Sequence, residues 1–278
     1  MIRLVKIELT KIFRKSRTYI SFGGIAILVI LIEASILIDG QGILNFLTQS
    51  LSGSFYFQGN LLNGYLISFV IINTLWIHIP LLIALVTGDI VASESNLGTF
   101  RIVLTRPVSR SSLLLAKFIA AIIYTCLVVI FLGVFSLTIG LALFNKGDLI
   151  VFTNKINILP ENDLLWRFAA AYGFGILSMI VVAALSFLLS VFSNNSVGPI
   201  VGTLVIIIAF TIISTFEIPF FSKLRPFLFT TYLNSWRLFF EFDIKSAFIV
   251  KSIIHLFINA LVFYLASLII FNKRDILT

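Results

Sequence analysis

Charged residues are scarce in this chain. Only 12% of its 278 residues are Asp, Glu, Lys or Arg, whereas 59% are hydrophobic and the mean hydropathy is +1.11. Because a soluble domain carries about a quarter charged residues, little of this surface can face water. The scarcity indicates a polytopic membrane protein. The net charge of +8 then reports on membrane orientation, and no nucleic-acid partner is expected.

Residue types that carry most enzyme chemistry are also rare. The single cysteine, Cys126, cannot form an intrachain disulfide, and the two histidines, His78 and His255, have no partner at metal-ligand spacing. The sequence contains no H-E-x-x-H, no paired glutamates and no G-x-S-x-G. We therefore expect no catalytic residues, no metal site and no enzyme activity of this chain's own. It also lacks the G-x-x-x-x-G-K-[ST] phosphate loop, so any ATP must be bound by a partner.

Six apolar runs each supply the roughly 20 helical residues that cross a bilayer. They do not alternate with period two, as the strands of a membrane barrel would. No internal repeat or soluble domain separates them. We predict an all-α polytopic membrane protein, one transmembrane domain over residues 1–278, with six transmembrane helices near 18–38, 65–87, 113–144, 166–192, 197–216 and 247–271.

Lysine and arginine are unevenly distributed between the predicted span ends. Residues 1–17 hold six and residues 88–117 hold four, whereas the 39–64 loop holds none. Cytoplasmic loops carry an excess of these residues, so we predict a multi-pass protein with both termini and the 88–112 segment in the cytoplasm. The predicted outer loop 217–246 holds four and departs from the rule; the early charges decide the assignment.

Two segments outside the spans have the pattern of amphipathic helices. Within the N-terminal segment 1–17, residues 2–15 predict an interfacial helix whose apolar stripe contains Ile2, Val5, Leu9, Ile12 and Phe13. Its cations would face anionic membrane lipid, which we predict as a partner. A topology-setting basic tail is the alternative. Residues 93–107 predict a second short helix that Ser93 or Ser95 caps and Pro107 ends. The alternative for this segment is a membrane-lying loop helix.

The polar residues around the second helix follow a distinctive order. Two acids precede a Gly-Thr pair and an arginine, and the run R-P-V-S-R then leads to a lysine that opens a long span; the residues are Asp89, Glu94, Gly98, Thr99, Arg101, Arg106, Pro107, Arg110 and Lys117. The chain adds a basic N-terminal helix, six spans, an aromatic segment before span six and a short basic tail. In motif and layout it resembles the membrane (permease) subunits of type-2 ABC exporters.

The resemblance implies a role for the segment between spans two and three. In that family it is a cytoplasmic coupling helix that docks on a separate ATPase subunit and passes nucleotide-driven motion to the spans. The docking residues implied are Glu94, Leu97, Phe100, Arg101, Val103 and Leu104. The resemblance also implies two ATPase copies that bind ATP and Mg, and a second permease chain, forming a homodimer. The compact chain suggests the bacterial inner (plasma) membrane.

The segment 217–246 has nine aromatic residues in thirty. Aromatic rings interspersed with cations are typical of a membrane interface, so an interfacial loop anchored by its rings is one interpretation. The resemblance implies a second, in which short outer helices partly re-enter the membrane and close the exit. The two interpretations are compatible.

Several polar residues fall inside the predicted spans. Glu33 and Lys251 lie about 6–8 Å below the outer boundary, and we predict that they pair or face a wet cavity. Reaching the headgroups separately is the alternative. The resemblance places spans two and five along the substrate pathway. Hydrogen bonds between helices are the rival explanation for the polar residues of those spans, Asn73, Thr74, His78, Thr203 and Thr211.

Three functions follow from these observations. The first is the membrane subunit of an exporter, the second an intramembrane enzyme such as a protease or lipid transferase, and the third a membrane assembly or scaffold protein without transport. Dependence of transport on a partner ATPase separates the first from the third. The mostly apolar pathway, with no ring of carboxylates, favours an amphiphilic or hydrophobic substrate.

Overall fold

A computed structural model describes residues 1–48, 62–96, 98, 109–152, 156–216 and 218–273, and the structural account concerns these residues. Helices dominate them. Their bounds are α1 Ile2–Arg14, α2 Ser16–Thr48, α3 Gly64–Leu75, α4 Ile79–Thr87, α5 Asp89–Asn96, α6 Arg110–Phe144, α7 Leu164–Phe192, α8 Val197–Thr215, α9 Pro219–Ser222, α10 Thr230–Leu233 and α11 Ser246–Lys273. Backbone angles at Asp39 interrupt α2.

Five helices, together with α4 and α5 taken as one stretch, are long and apolar enough to cross a bilayer, as the predicted helical membrane protein requires. A bilayer core of about 30 Å needs about 20 helical residues, and α6 alone has 35. At 1.5 Å per residue α6 is about 52 Å long, so it extends beyond the hydrocarbon. The candidate spans are Ser16–Gly40, Ile79–Asn96, Arg110–Phe144, Glu161–Phe192, Val197–Thr215 and Ser246–Lys273.

The predicted second span, residues 65–87, is broken into two helices. A turn over Trp76–His78 separates α3 from α4, and the N–H of His78 donates to the carbonyl of Leu75 at 2.8 Å. Pro80 lies in the first turn of α4. Proline lacks the N–H that a continuing helix needs and is tolerated in a first turn. The prediction of one uninterrupted helix over residues 65–87 is therefore wrong, because the chain turns at Trp76–His78.

The bundle is built around α7. This helix packs against α6, α4 and α11. In the most apolar stretch of its span, 72% of the residues are buried within the protein. In the corresponding stretches of α8 and α11, only 11% and 17% of the residues are buried. The outward faces of α8 and α11 are apolar, as Val205 and Phe257 illustrate. These faces are suited to contact lipid or a second membrane chain.

Contacts define two ends of the bundle. One end, termed the basic end, unites α1, α5, the start of α6 and the 193–196 turn. Ser95 Oγ, for example, donates to Asn194 Oδ1 at 2.9 Å. The opposite end, termed the hairpin end, holds the start of α3, the loops after α6 and the segment before α11. There the N–H of Gly64 donates to the carbonyl of Asn145 at 2.8 Å.

A short β-hairpin corrects the all-α prediction. Strand β1 (Leu149–Phe152) pairs antiparallel with β2 (Ile156–Leu159), and Leu149 lies opposite Leu159. Leu149, Val151 and Leu159 are fully buried. The strand sequences, LIVF and INIL, are almost continuously apolar, so no two-residue period marks them.

The aromatic segment before α11 consists of short helical turns that pack on the hairpin end. Besides α9 and α10, it contains 3₁₀ turns at Arg225–Phe227 and Asn234–Phe240. Trp236 is fully buried, with its ring centroid 5.4 Å from that of Trp76 and 6.0 Å from that of Phe69. The sequence placed these rings in an interfacial segment; several of them instead fill the core of the hairpin end.

Arg167 fixes this segment to α7. Its Nε contacts Asp163 Oδ2 at 2.6 Å, and its Nη1 donates to the carbonyls of Phe239 and Glu241, each at 2.8 Å. The β-hairpin supplies another link, because the N–H of Phe242 donates to Asn157 Oδ1 at 2.9 Å. The hairpin end is therefore a hydrogen-bonded cap over the spans.

Candidate functional site

The N-terminal helix α1 lies against the start of α6 and the base of α2. Its residue Ile12 is buried, and the hydroxyl of Thr18 donates to the Ile12 carbonyl at 2.6 Å, which fixes the turn into α2. The predicted apolar stripe divides in two. Ile12 and Leu9 pack into the protein, whereas Ile2 is 87% exposed. Beside Ile12, the protein-facing side of α1 carries a buried acid, Glu8.

Four charged side chains meet at this contact, and we term them the ion cluster: Glu8, Lys11, Glu94 and Lys117. Lys117 Nζ lies 2.7 Å from Glu8 Oε2 and 2.7 Å from Glu94 Oε1. Lys11 Nζ lies 2.7 Å from Glu8 Oε1 and 2.8 Å from Glu94 Oε1. Each cation therefore bridges both carboxylates. The cluster joins α1, α5 and α6.

Burial of the ion cluster carries a free-energy cost. The Lys117 side chain is 0% exposed, and those of Glu8 and Glu94 are 5% and 13% exposed. Removing ions from water costs several kcal/mol each unless close partners offset it. The two cations and two carboxylates neutralise each other, so the cluster is stable only as a complete set. Movement of α5 away from α1 and α6 would separate Glu94 from Lys11 and from the fully buried Lys117.

Asp89 makes a second tie between the N-terminal region and α5. Its Oδ2 lies 2.6 Å from Lys15 Nζ and its Oδ1 lies 3.0 Å from an Nη of Arg17. Lys15 Nζ also donates to the hydroxyl of Ser93 at 2.9 Å. Asp89 is the first residue of α5, where a negative charge interacts favourably with the helix dipole. Two groups of ion pairs thus hold α5 against α1 and α2.

The other side of α5 is attached to α7. The hydroxyl oxygen of Ser190 accepts from the backbone N–H of Val91 at 3.1 Å and of Ala92 at 2.9 Å. These N–H groups belong to the first turn of α5, where no intrahelical acceptor exists. A Cβ at Gly88, just before α5, would lie 2.8 Å from the Ala84 carbonyl and 2.9 Å from Ser186 Oγ. Close packing therefore seats α5 on α7.

The structure brings together three of the predicted motif residues: Asp89, Glu94 and Lys117 all face α1 or the α1–α2 junction. Gly98 follows α5 with a φ of 64°, a left-handed conformation that glycine adopts freely. Arg110 lies near α11, its Nη1 3.5 Å from the carbonyl of Asn272. The remaining predicted residues of the segment lie outside the described residues: Leu97, Thr99, Phe100, Arg101, Val103, Leu104, Arg106 and Pro107.

Comparison with known proteins gives a family. A family model described as "Protein of unknown function (DUF2705)" matches residues 25–277. The chain belongs to this family. The match includes Glu94 and Lys117 of the ion cluster, whereas Glu8 and Lys11 precede it. A Bacillus subtilis (strain 168) protein named "Uncharacterized protein YhcI" is 28% identical over 201 residues, which are 69% of this chain and 63% of that protein. The match thus spans less than two thirds of the relative's length.

In this DUF2705 chain the predicted pathway residues differ in their exposure. Asn73, Thr74 and His78 are exposed on the outward side of the α3–α4 break, and Arg237 donates to Asn73 Oδ1 at 2.5 Å. On α8, Thr211 is exposed, but Thr203 is buried and donates to the carbonyl of Pro199 at 2.6 Å. Thr203 is thus satisfied within its own helix, which is neither a pathway position nor the bond between helices that the alternative expects.

The predicted pair of Glu33 and Lys251 does not form within one chain. Glu33 is 1% exposed, and neither of its carboxyl oxygens has a hydrogen-bond partner among the described residues. Lys251 is exposed. The reason lies in the helix packing: α11 packs mainly on α7, whereas α2 packs on α6 and α1. Glu33 instead lies near the point where Gly140 of α6 meets Gly64 of α3.

Replacing Glu33 by glutamine tests whether its carboxyl needs a charged partner. A buried carboxylate without a partner is costly, and glutamine keeps the size without the charge. We expect the free energy of unfolding of the Glu33→Gln chain to stay within about 1 kcal/mol or to rise, as measured by thermal unfolding in detergent. A loss above about 2 kcal/mol would mean that Glu33 has a charged partner beyond the described residues. Lys251→Gln, at an exposed position, is the control.

The ion cluster also predicts an alkaline limit to stability. Burial lowers the pKa of Lys11, but its hydrogen bonds to Glu8 and Glu94 outweigh this, and the pKa is raised above the usual 10.5. Protonated Lys11 therefore stabilises the fold fully below pH 10.5, and this contribution is lost as the pH rises through the folded-state pKa. We expect a constant melting temperature between about pH 7 and 9 and a decline above 10.5. Lys11→Met should remove part of that decline; an identical decline in the variant would exclude Lys11 as its source.

Two residues of the site were not predicted from the sequence. Glu8 is a single acid in a helix of basic residues, and Ser190 is one of several serines in an apolar span. For Glu8 a signal existed, because it lies three residues before Lys11 on one helix face. No comparable signal marks Ser190.

Proposed function

We propose that this chain is the transmembrane subunit of an ATP-binding cassette exporter, driven by a separate ATPase that docks on the segment 93–107. The observation that carries the proposal is the ion cluster. Three charged residues of the sequence motif tie α5 to α1, α2 and α6: Asp89 before the docking segment, Glu94 within it and Lys117 after it. A segment built to transmit a displacement needs such ties.

Helix α5 ends at Asn96, inside the docking segment 93–107. A displacement of that segment acts first on α5, which ion pairs attach to α1 and α2 and which Ser190 attaches to α7. Because Lys117 is fully buried, separating it from Glu94 is costly, so this attachment resists partial separation. A displacement at 93–107 would therefore move the ends of several spans together. A simple surface loop would bend and leave the spans in place.

The outward polar groups fit a second membrane chain. Asn73, Thr74 and His78 are exposed among apolar residues, and polar groups facing hydrocarbon are costly. A second copy of the chain that faces this side would enclose them in a shared pathway, with the hairpin end as its cap. In such a homodimer each chain contacts one ATPase, which binds ATP and Mg. The mostly apolar faces suit an amphiphilic substrate.

A photo-crosslinking experiment tests the docking claim. A benzophenone side chain is incorporated at Phe100, within the docking segment, and in a matched chain at Phe242, which is 69% exposed at the hairpin end. After irradiation of intact cells, the adducts are purified and sequenced. We expect position 100, and not position 242, to capture a protein that contains a G-x-x-x-x-G-K-[ST] loop.

Other products would point elsewhere. Capture at position 100 of a protein without a phosphate loop would favour the assembly or scaffold function and contradict the proposal. Capture of the same ATPase at both positions would show that contact is not specific to the docking segment.

A further inference from the structure

A groove opens at the basic end between the N-terminal region and the end of the second span. Its volume is about 420 Å³, and its walls are formed by α1, the start of α2, α4 and α5. Its lining includes three apolar residues, Ile12, Val86 and Ile90, and seven charged ones. Arg14 and Arg17 belong to the exposed edge of the groove, which we term the rim. Apolar side chains beside a charged rim suit an amphiphile: a headgroup with the beginning of its chains.

Positive charge is in excess at this groove. Its lining holds four cations, Lys11, Arg14, Lys15 and Arg17, and three carboxylates, Glu8, Asp89 and Glu94. Lys117 is a fifth cation bound to two of the same carboxylates. Five cations therefore share three carboxylates, which leaves an excess of two positive charges.

The excess falls on Arg14 and Arg17. Arg14 is exposed and makes no ion pair with any described residue. Arg17 approaches Asp89 at 3.0 Å through one Nη, and its side chain has no second partner within the described part of the chain. A guanidinium has five N–H donors in a planar fork that fits phosphate oxygens. Most of the donors at the rim are thus available to an anion.

We propose that this groove binds the phosphate headgroup of an anionic phospholipid, with Arg14 and Arg17 as its ligands. The location identifies the source of the phosphate. The groove begins at the junction of α1 with the candidate span Ser16–Gly40, where headgroups of a bilayer lie. Its apolar walls suit acyl chains, which a free phosphate lacks. A bound lipid would also cover the Asp89 ion pairs and shield them from salt.

Lipid titration of the purified full chain in detergent tests this site without any ATPase. The probes are phosphatidylglycerol, phosphatidylcholine and free glycerol phosphate, and native mass spectrometry counts the bound molecules. Arg14→Gln removes the free cation of the rim. Arg3→Gln makes the same charge change on the same helix at an exposed residue outside the groove lining.

We expect phosphatidylglycerol to bind more tightly than phosphatidylcholine, and Arg14→Gln to weaken it by about fivefold to tenfold, the effect of removing one cation from an anionic headgroup. Arg3→Gln should leave the affinity unchanged. Equal losses in the two variants would overturn the site in favour of diffuse attraction to a basic helix. Displacement of the lipid by equimolar glycerol phosphate would overturn the lipid assignment, because the apolar walls would then contribute nothing.

Discussion

Replacing Lys117 by methionine should destabilise the protein more than any other single change in the ion cluster. Methionine keeps the length of the side chain but leaves Glu8 and Glu94 buried beside each other with Lys11 as the remaining cation of the cluster. Breaking a buried ion pair by removing one partner costs about 3–5 kcal/mol. We expect a loss of this size in the free energy of unfolding, measured by thermal or denaturant unfolding in detergent.

A second substitution shows whether the loss comes from charge. Combining Glu8→Gln with Lys117→Met removes one cation and one carboxylate, so the remaining pair of Lys11 and Glu94 is again neutral. The loss in the free energy of unfolding of the double variant should be smaller than the sum of the two single losses, because the two residues interact directly. Lys6→Met, at an exposed position of α1, should change stability by less than about 0.5 kcal/mol. Additive losses would contradict the direct pairing of Glu8 with Lys117.

Replacing Arg167 by methionine should detach the aromatic segment 218–246 from α7. The guanidinium is 8% exposed and holds Asp163 together with the carbonyls of Phe239 and Glu241. Hydrogen bonds to a charged group contribute about 1.5–3 kcal/mol each, and the two carbonyls would be left without this donor. We expect a loss of at least about 3 kcal/mol and faster proteolysis within residues 218–246.

Lysine at the same position separates charge from geometry. Arg167→Lys keeps the positive charge, but an ammonium group lacks the planar fork that contacts one carboxylate and two carbonyls together. We expect it to recover less than half of the loss. Lys223→Met, at an exposed cation of the same segment, is the matched control and should have little effect. Full recovery by lysine would mean that only the charge matters at this position.

The spans and the N-terminal helix could be predicted from sequence because they depend on local pattern. Apolar runs of sufficient length predict spans regardless of what packs on them. The same reasoning failed where one residue changes the path of the chain. Pro80 ends a helix pattern, but the pattern does not say that the break begins at Trp76, because that depends on how α3 and α4 pack on their neighbours.

Only part of the candidate site could be predicted from the sequence. Asp89, Glu94 and Lys117 stand out as charges beside long apolar runs, and the structure places all three at one contact. Their partner Glu8 appears in sequence as an acid on a basic surface helix. Its burial follows from the packing of α1 against α6, which no periodicity encodes. Arg167 could have been found by asking why a cation stands at the start of an apolar span.

The most direct test of the account is the composition of the protein purified from its own membranes. We predict that the tagged chain in mild detergent carries a phosphate-loop ATPase in equal amount, that Phe100→Asp removes it, and that Phe242→Asp, the same change at the hairpin end, retains it. A folded wild-type chain that purifies without an ATPase, from membranes in which ABC ATPases are present, would contradict the exporter function.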